Sequence, residues 1–160
     1  SEFVAKVLIT GLLLLASLTI PAAGLLAADD RLSEHALKTF EIFRTIVEVD
    51  TSKAMGNTPK VAHYLADELI AAGFPTEDVE VLRLDEFAAL VVRYRGVGSS
   101  GEKPILFLGH MDVVEAYAKD WERPPFKLTA DEINFYGRGT IDNKFGVAQL
   151  TSTFIRLKKE

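Results

Sequence analysis

The feature that most constrains the fold is a short apolar run, Ile105 to Gly109, which ends directly at His110. A continuous apolar run of this length, bounded by turn-forming residues, is typical of a strand that is buried on both faces of a sheet. The histidine therefore lies where the predicted strand ends. Residues two apart in an extended chain point the same way, so His110 and Asp112 present an imidazole and a carboxylate on one side. This is the arrangement in which a carboxylate orients a metal-binding histidine and fixes its tautomer.

A second motif, Tyr136 to Lys144, begins with glycines that permit a tight backbone and contains one carboxylate, Asp142, near its end. Each motif alone is weak, because a lone His-x-Asp is usually incidental and an aspartate near glycines is commonly part of a turn. The two motifs together, in this order and spacing, predict a specific site that contains His110, Asp112 and Asp142.

The segment from Leu106 to Gly146 resembles the zinc metallopeptidase family of aminoacylases, acetylornithine deacetylase, succinyl-diaminopimelate desuccinylase, carnosinase-type dipeptidases and carboxypeptidase S. The resemblance rests on LFLGHMDVV, on Trp121 with the following PPF, and on FYGRGTIDNK, and it extends weakly back to Ser33. It implies an α/β fold with an open mixed sheet and flanking helices, as in the catalytic domain of zinc exopeptidases. It also implies that this domain is truncated here, with residues 29–160 as its incomplete N-terminal part.

The resemblance assigns a role to each residue of the predicted site. It implies that His110 binds one zinc ion, that Asp112 supports this histidine as a catalytic residue, and that Asp142 bridges two zinc ions. The complete domain would hold two zinc ions, with cobalt or manganese as alternative metals. The family's general base is the first of a Glu-Glu pair, which would lie beyond residue 160 together with the remaining metal ligands and an inserted dimerisation domain.

The implied activity is hydrolysis of a peptide or N-acyl amide bond by a metal-activated water, of the carboxypeptidase, dipeptidase or deacylase type. The implied substrate is a peptide or an N-acyl amino acid, and the complete protein would be able to form a homodimer. The 160-residue chain by itself would be inactive. A relative that keeps the fold only for binding, and an ordinary α/β domain in which these residues are turns, are the alternatives.

Two residues depart from the pattern of the family. Asn143 stands where many members have a second aspartate, and Phe145 stands where many have a glycine. Neither departure changes the roles that the resemblance implies for His110, Asp112 and Asp142. The resemblance also implies a cis peptide bond between Asp142 and Asn143.

Residues 1–28 have the composition of a leader. Val7 to Ala28 carries no charge, its first part is rich in leucine, and the small residues of Pro21 to Gly24 suit cleavage. We therefore expect a signal peptide and export to the periplasm or the exterior. An uncleaved membrane anchor is the alternative, because the uncharged run is about long enough to cross a bilayer. Ser1 to Phe3 lacks an initiator methionine and is interpreted as a cloning remnant or a trimmed start.

Helical periodicity predicts three helices, and turn signals bound two strand-like runs before the central strand. The first helix spans Ser33 to Val49, the second begins with Thr58 as N-cap and ends at Gly73, and the third spans Lys144 to Lys158. These two strands are predicted at residues 79–84 and 87–94, and the resemblance implies two further short strands at 126–129 and 133–136. The predicted buried residues of the helices are Ala36, Leu37, Phe40, Phe43, Ile46 and Val47, then Val61, Leu65, Leu69 and Ile70, then Val147, Leu150, Phe154 and Leu157.

The composition further limits the partners and the metal-binding side chains that are open to this chain. The chain has a formal net charge of −5 and no long run of lysine or arginine, so it carries no electrostatic footprint for nucleic acid. It has no cysteine, so any metal must be held by histidine, aspartate or glutamate. The other two histidines, His35 and His63, are interpreted as surface residues of the first two helices.

Overall fold

The computed structural model describes residues 33–98 and 101–160, and the predicted leader lies outside the described residues. The helices are α1, Glu34–Val47, α2, Thr58–Ala71, and α3, Lys144–Lys159. The strands are β1, Val79–Leu84, β2, Phe87–Val92, β3, Thr129–Ala130, and β4, Phe135–Tyr136. β1 pairs with β2 and β3 pairs with β4, each pair antiparallel and separate from the other. The described residues therefore form a small α/β arrangement of three helices and two hairpin sheets.

Helix α1 begins as predicted, with Ser33 as N-cap. The Ser33 hydroxyl accepts a hydrogen bond of 3.1 Å from the Ala36 amide, which satisfies one of the free N–H groups of the first turn. Phe43, Ile46 and Val47 are buried as predicted, whereas Leu37 is 54% exposed and the prediction was wrong there. The fully buried residues of the helix all lie in its second half, where Ile42 is also buried, whereas Phe40 is partly buried against the core.

Helix α2 begins at Thr58, with Asn57 rather than Thr58 in the N-cap position. The Thr58 hydroxyl instead accepts a hydrogen bond of 3.0 Å from the Ala88 amide on β2, so a tertiary contact replaces the predicted cap. The buried face carries Val61, Leu65 and Leu69 as predicted, but Ile70 is 38% exposed. The helix stops where Gly73 takes a φ of +100°, a conformation that suits glycine.

Strands β1 and β2 confirm the prediction for residues 79–84 and most of that for 87–94. They form a hairpin in register from Val79 opposite Val92 to Leu84 opposite Phe87. The predicted strands at 126–129 and 133–136 are shorter, and they pair only through Thr129 with Tyr136 and Ala130 with Phe135.

The prediction of a buried central strand at residues 105–109 was wrong for the part of the chain that the structure describes. No strand is formed there, and Ile105 and Leu108 are 79% and 81% exposed. A run that is apolar on both faces needs a neighbour on each edge and a layer on each face. Among the described residues, α3 contacts the run through the rings of Phe107 and Phe154, whose centres lie 6.0 Å apart, and no strand pairs with it.

Helix α3 spans the predicted residues but buries a different face. Its buried residues are Lys144, Val147, Ala148, Thr151, Ser152 and Ile155, whereas Leu157 is 41% exposed. Small side chains let α3 approach α1, where the hydroxyl oxygens of Thr39 and Ser152 lie 2.7 Å apart, within hydrogen-bond distance. Leu150 and Phe154, which were predicted to be buried, instead line a cavity. None of the helices at residues 33–98 and 101–160 is long and apolar enough to span a bilayer.

Candidate metal centre

His110 and Asp112 follow the exposed apolar run and are held by the loop between α1 and α2, residues 48–57. The Thr51 hydroxyl donates to the Met111 carbonyl at 2.7 Å, and the Val113 amide donates to the Thr51 carbonyl at 3.4 Å. Ser52 and Val113 form an isolated parallel bridge. The backbone on both sides of Asp112 is therefore fixed even though the preceding segment has no strand partner among the described residues.

Asp142 lies in a compact loop that runs from Gly137 to the start of α3. Gly139 has a φ of +86°, and a Cβ at this position would lie 2.8 Å from Val113 Cγ1. Only glycine therefore allows this loop to approach the residues after His110. The Lys144 amide donates to the Gly139 carbonyl at 3.0 Å and closes the loop around Asp142. The Asp142–Asn143 peptide bond is cis, as the resemblance implied.

The segment that contains Trp121 and the two prolines supports the same loop. The Pro125 carbonyl accepts a hydrogen bond of 2.6 Å from the Arg138 amide. The Arg138 guanidinium lies 5.1 Å from the centre of the Trp121 ring, within the range of a cation–π contact. The three sequence motifs therefore form one contiguous structure.

These elements bring the three predicted site residues together. His110 Nε2 lies 2.8 Å from Asp142 Oδ1, and His110 Nδ1 lies 3.2 Å from both Asp112 Oδ1 and the Asp112 carbonyl oxygen. All three side chains are accessible from a cavity of about 300 Å³ that Gly137, Arg138 and Gly139 also line. The imidazole is thus placed between two carboxylates, with Asp112 on the side opposite Asp142.

This environment raises the pKa of His110. The largest contribution is the hydrogen bond to the Asp142 carboxylate, followed by partial burial, which acts in the opposite direction, and by the hydrogen bond to the Asp112 carbonyl. With both ring nitrogens facing oxygen atoms, the imidazolium form can donate from Nε2 and Nδ1 together.

The donor set fits part of a metal site. A histidine nitrogen and a carboxylate oxygen are ordinary zinc ligands, and the Nδ1 contact with Asp112 favours the tautomer that leaves Nε2 free to ligate. At residues 33–98 and 101–160, however, no group of three or more histidine, aspartate or glutamate side chains is arranged to hold an ion. A catalytic zinc normally takes three protein ligands. The described residues therefore provide an incomplete ligand set.

Sequence reasoning missed Lys144, which is fully buried beside this site. Its ammonium donates to the Val49 carbonyl at 2.7 Å. Burial lowers the pKa of Lys144 to about 8, against a smaller raising effect of the Asp50 carboxylate. The signal was present in the sequence, because Lys144 precedes the buried residues Val147 and Ala148 by three and four positions, on one helix face.

The other two histidines stay outside the site. His63 is exposed on α2, and the carbonyl of His35 accepts a hydrogen bond of 2.8 Å from the Thr39 hydroxyl within α1. Their interpretation as helix residues without a metal role remains a prediction.

Comparison with known proteins supports the resemblance drawn from the motifs. Residues 106–160 match the family described as Peptidase family M20/M25/M40. The chain is 40% identical over 124 residues to a probable succinyl-diaminopimelate desuccinylase of Staphylococcus aureus, a match covering 75% of this chain and 28% of the relative. It is 43% identical over 74 residues to the acetylornithine deacetylase of Dictyostelium discoideum, covering 44% of this chain and 17% of the relative. The chain thus spans little more than a quarter of the length of the first of these relatives.

Proposed function

We propose that the chain, whose residues 106–160 match Peptidase family M20/M25/M40, is part of the catalytic domain of a metal-dependent hydrolase. The observation that carries this proposal is the 2.8 Å approach of His110 Nε2 to Asp142 Oδ1, with Asp112 against Nδ1. Two side chains that lie 32 positions apart thus bring a histidine nitrogen and a carboxylate oxygen, atoms of the kind that bind zinc, to one cavity.

In this proposal His110 and Asp142 hold the metal, and Asp112 holds the imidazole. One or two divalent ions, zinc by the resemblance, would supply Lewis acidity toward the scissile carbonyl and toward water. Asp112 accepts the Nδ1 proton of the imidazole, which keeps Nε2 available as a ligand and raises its basicity. Gly139 and the loop around it keep Asp142 within reach of His110.

The proton acceptor and the remaining ligands come, in this proposal, from chain that these 160 residues do not contain. A general base must lie within hydrogen-bond reach of the water that it activates. Among the described residues no third histidine, aspartate or glutamate joins His110 and Asp142 in a group able to hold a metal. The relatives that share this segment are more than three times as long as the part that matches.

The same proposal accounts for the exposed apolar run at residues 105–109. A cavity of about 820 Å³ lies between this run, strand β2 and helix α3, and its lining is mainly apolar, including Leu90, Val92, Phe107 and Leu150. We propose that the run is a strand of an open mixed sheet that further chain completes on both edges. Buried on both faces, the run would then have the environment that its composition favours.

The substrate that we propose is an N-acyl amino acid or a peptide. The named relatives are a probable desuccinylase and a deacetylase, both of which remove an acyl group according to their names.

Export from the cytoplasm is also a proposal, and it rests on the leader composition of residues 1–28. Fractionation of cells that produce the protein tests it.

The test compares the longer protein that contains this chain with the 160-residue chain alone. Both are loaded with zinc, the metal per chain is counted, and hydrolysis of N-acyl amino acids and dipeptides is assayed. We expect metal and turnover in the longer protein, loss of both in His110→Ala and Asp142→Asn, and neither in the short chain. Asp120→Asn, at an exposed position directly before Trp121, is the control.

Two outcomes would contradict the proposal. A longer protein that binds metal without hydrolysing any amide would indicate a relative that keeps the fold for binding. Tight metal binding with full turnover by the 160-residue chain would show that the missing ligands are already present in it.

A further inference from the structure

Both halves of the candidate metal centre are attached to one loop, residues 48–57. Thr51 makes the attachment to the first half, because its hydroxyl donates to the Met111 carbonyl and its carbonyl accepts from the Val113 amide. The side chain of Thr51 is completely buried. The two bonded residues, Met111 and Val113, flank Asp112, and Met111 directly follows His110.

Lys144 makes the attachment to the second half. Its ammonium donates to the Val49 carbonyl at 2.7 Å, two residues before Thr51 in the loop. Its own amide is bonded to Gly139, so the lysine anchors the turn that carries Asp142.

The loop to which both halves are attached is itself held by internal hydrogen bonds. The Asp50 carboxylate accepts from the Ser52 amide at 2.9 Å, and the Asp50 carbonyl accepts from the Asn57 side chain at 2.9 Å. The Gly56 amide donates to the Ser52 carbonyl at 3.1 Å. A displacement of either half of the centre therefore has to break bonds to the same piece of backbone.

The choice of a lysine argues for a positional role. Moving an ammonium group out of water is costly, and an apolar side chain of similar volume commonly fills such a site with no loss of stability. A methionine would serve packing as well as Lys144 does, but it could not donate a hydrogen bond to Val49. What the amine adds is a fixed distance between the loop and the start of α3.

We propose that Thr51 and Lys144 are positioning residues that set the separation of His110 and Asp142. The inference rests on the proposed function, since the groups that they position are the proposed metal ligands. Neither residue contacts the metal or the substrate in this scheme. Each acts through the backbone of residues 49–51.

The first test measures metal affinity and stability in the longer protein that contains this chain. Groups that orient ligands typically change metal affinity about 10- to 100-fold when they are replaced. We expect Thr51→Val and Lys144→Met to lose affinity for Co²⁺ by about this factor and to alter its visible absorption spectrum. Thr51→Ser retains the hydroxyl, so it should keep the affinity even if the lost methyl group lowers the stability. The matched controls are Thr45→Val, whose hydroxyl bonds to Glu41 on the surface of α1, and Lys60→Met on the exposed face of α2.

The second test needs no metal. The chain has no cysteine, so spin labels can be attached to Val114→Cys and Ile141→Cys, two exposed positions next to the site, after replacement of any cysteine elsewhere in the protein. The distribution of distances between the labels should broaden or shift in Thr51→Val and Lys144→Met, but not in Thr45→Val, Lys60→Met or Thr51→Ser.

The outcomes separate this inference from the proposed function. If the unmodified protein binds no metal while the label distances respond as expected, the metal centre is refuted and the positioning role stands. If the protein binds metal but Thr51→Val and Lys144→Met leave both affinity and distances unchanged, the positioning role is refuted. A metal affinity that falls in parallel with stability in every variant, including Thr51→Ser, would also refute the positioning role.

Discussion

His110 Nε2 and Asp142 Oδ1 lie 2.8 Å apart although 32 positions separate the two residues in the chain. In the absence of a metal ion, a proton on Nε2 makes the bond between them, and this raises the pKa of His110. Ligation by Nε2 requires the same nitrogen to be free of its proton, so metal and proton compete for one position.

Asp112 is predicted to orient His110 without holding metal itself. In Asp112→Asn the amide group can donate to Nδ1 and so favour the tautomer that carries its proton on Nε2. We expect metal affinity to fall about 10- to 100-fold while the number of ions bound at saturation is unchanged. Competition with a chromophoric chelator measures this in the longer protein, with Asp120→Asn as the control. If Asp112→Asn binds the metal as tightly as the unmodified protein does, Asp112 does not orient the metal-binding histidine.

Gly139 is predicted to be required both for the turn and for its close approach to Val113. An alanine there has to adopt a φ of +86° and places its Cβ 2.8 Å from Val113 Cγ1. The left-handed conformation costs about 1–2 kcal/mol and the crowding about 1–3 kcal/mol more. Gly73→Ala is the matched control, because its φ is +100° but nothing lies within 4 Å of the added atom.

Urea unfolding should therefore show a larger loss of stability for Gly139→Ala than for Gly73→Ala. Metal affinity should fall only in Gly139→Ala. Equal losses of stability in the two variants would mean that the contact with Val113 relaxes without cost.

Asp131 is predicted to stabilise the β3–β4 hairpin in a pH-dependent way. The Tyr136 hydroxyl and the amides of Ile133 and Asn134 donate to its carboxylate, which lowers the pKa of Asp131 from 3.8 to about 2. The unfolded chain therefore binds this proton more readily than the folded chain, so the stabilisation is complete above pH 3.8 and is lost as the pH falls through about 2.

An NMR titration checks this prediction. The Ile133 and Asn134 amide signals should shift with a midpoint near pH 2 in the unmodified protein and should lose this transition in Asp131→Asn. Replacement of the exposed Asp67 on α2 by asparagine should leave the transition in place. A midpoint at the ordinary value of an aspartate would show that the three hydrogen bonds do not persist in solution.

The amides of residues 105–109 are predicted to exchange rapidly with solvent in the 160-residue chain. They have no strand partner at residues 33–98 or 101–160, whereas β1 and β2 are paired along their full length. Hydrogen exchange followed by mass spectrometry should show protection of residues 87–91 and little at 105–109, and both should be protected in the longer protein. Protection of 105–109 in the short chain would mean that it already contains the neighbouring strand.

The helices and the β1–β2 hairpin were predictable because their signals are local. The Ser33 cap, the stop at Gly73 and the alternation of turns and apolar residues each act within a few positions of the chain. The convergence of His110 with Asp142 was predictable only through two motifs taken together. Their roles as metal ligands remain predictions.

The errors concern long-range partners, which a local pattern does not specify. The run at 105–109 has the composition of a buried strand, but burial depends on neighbours that the described residues do not supply. On α3, Leu150 and Phe154 face the cavity, because the small residues Ala148 and Ser152 allow the close approach to α1. Thr51 was missed because its hydrogen bonds are to Met111 and Val113, at least 60 positions further along the chain.

The exposed run from Ile105 to Leu108 ends one residue before Gly109 and two before His110. In the longer protein that we propose, an apolar segment that is exposed until further chain covers it is therefore joined directly to a proposed metal ligand. In that proposal, a chain that has not yet covered this segment has not yet assembled the metal centre. Complete folding and hydrolytic activity would then be reached together, and a partly folded form of the protein would not be able to hydrolyse other molecules in the cell.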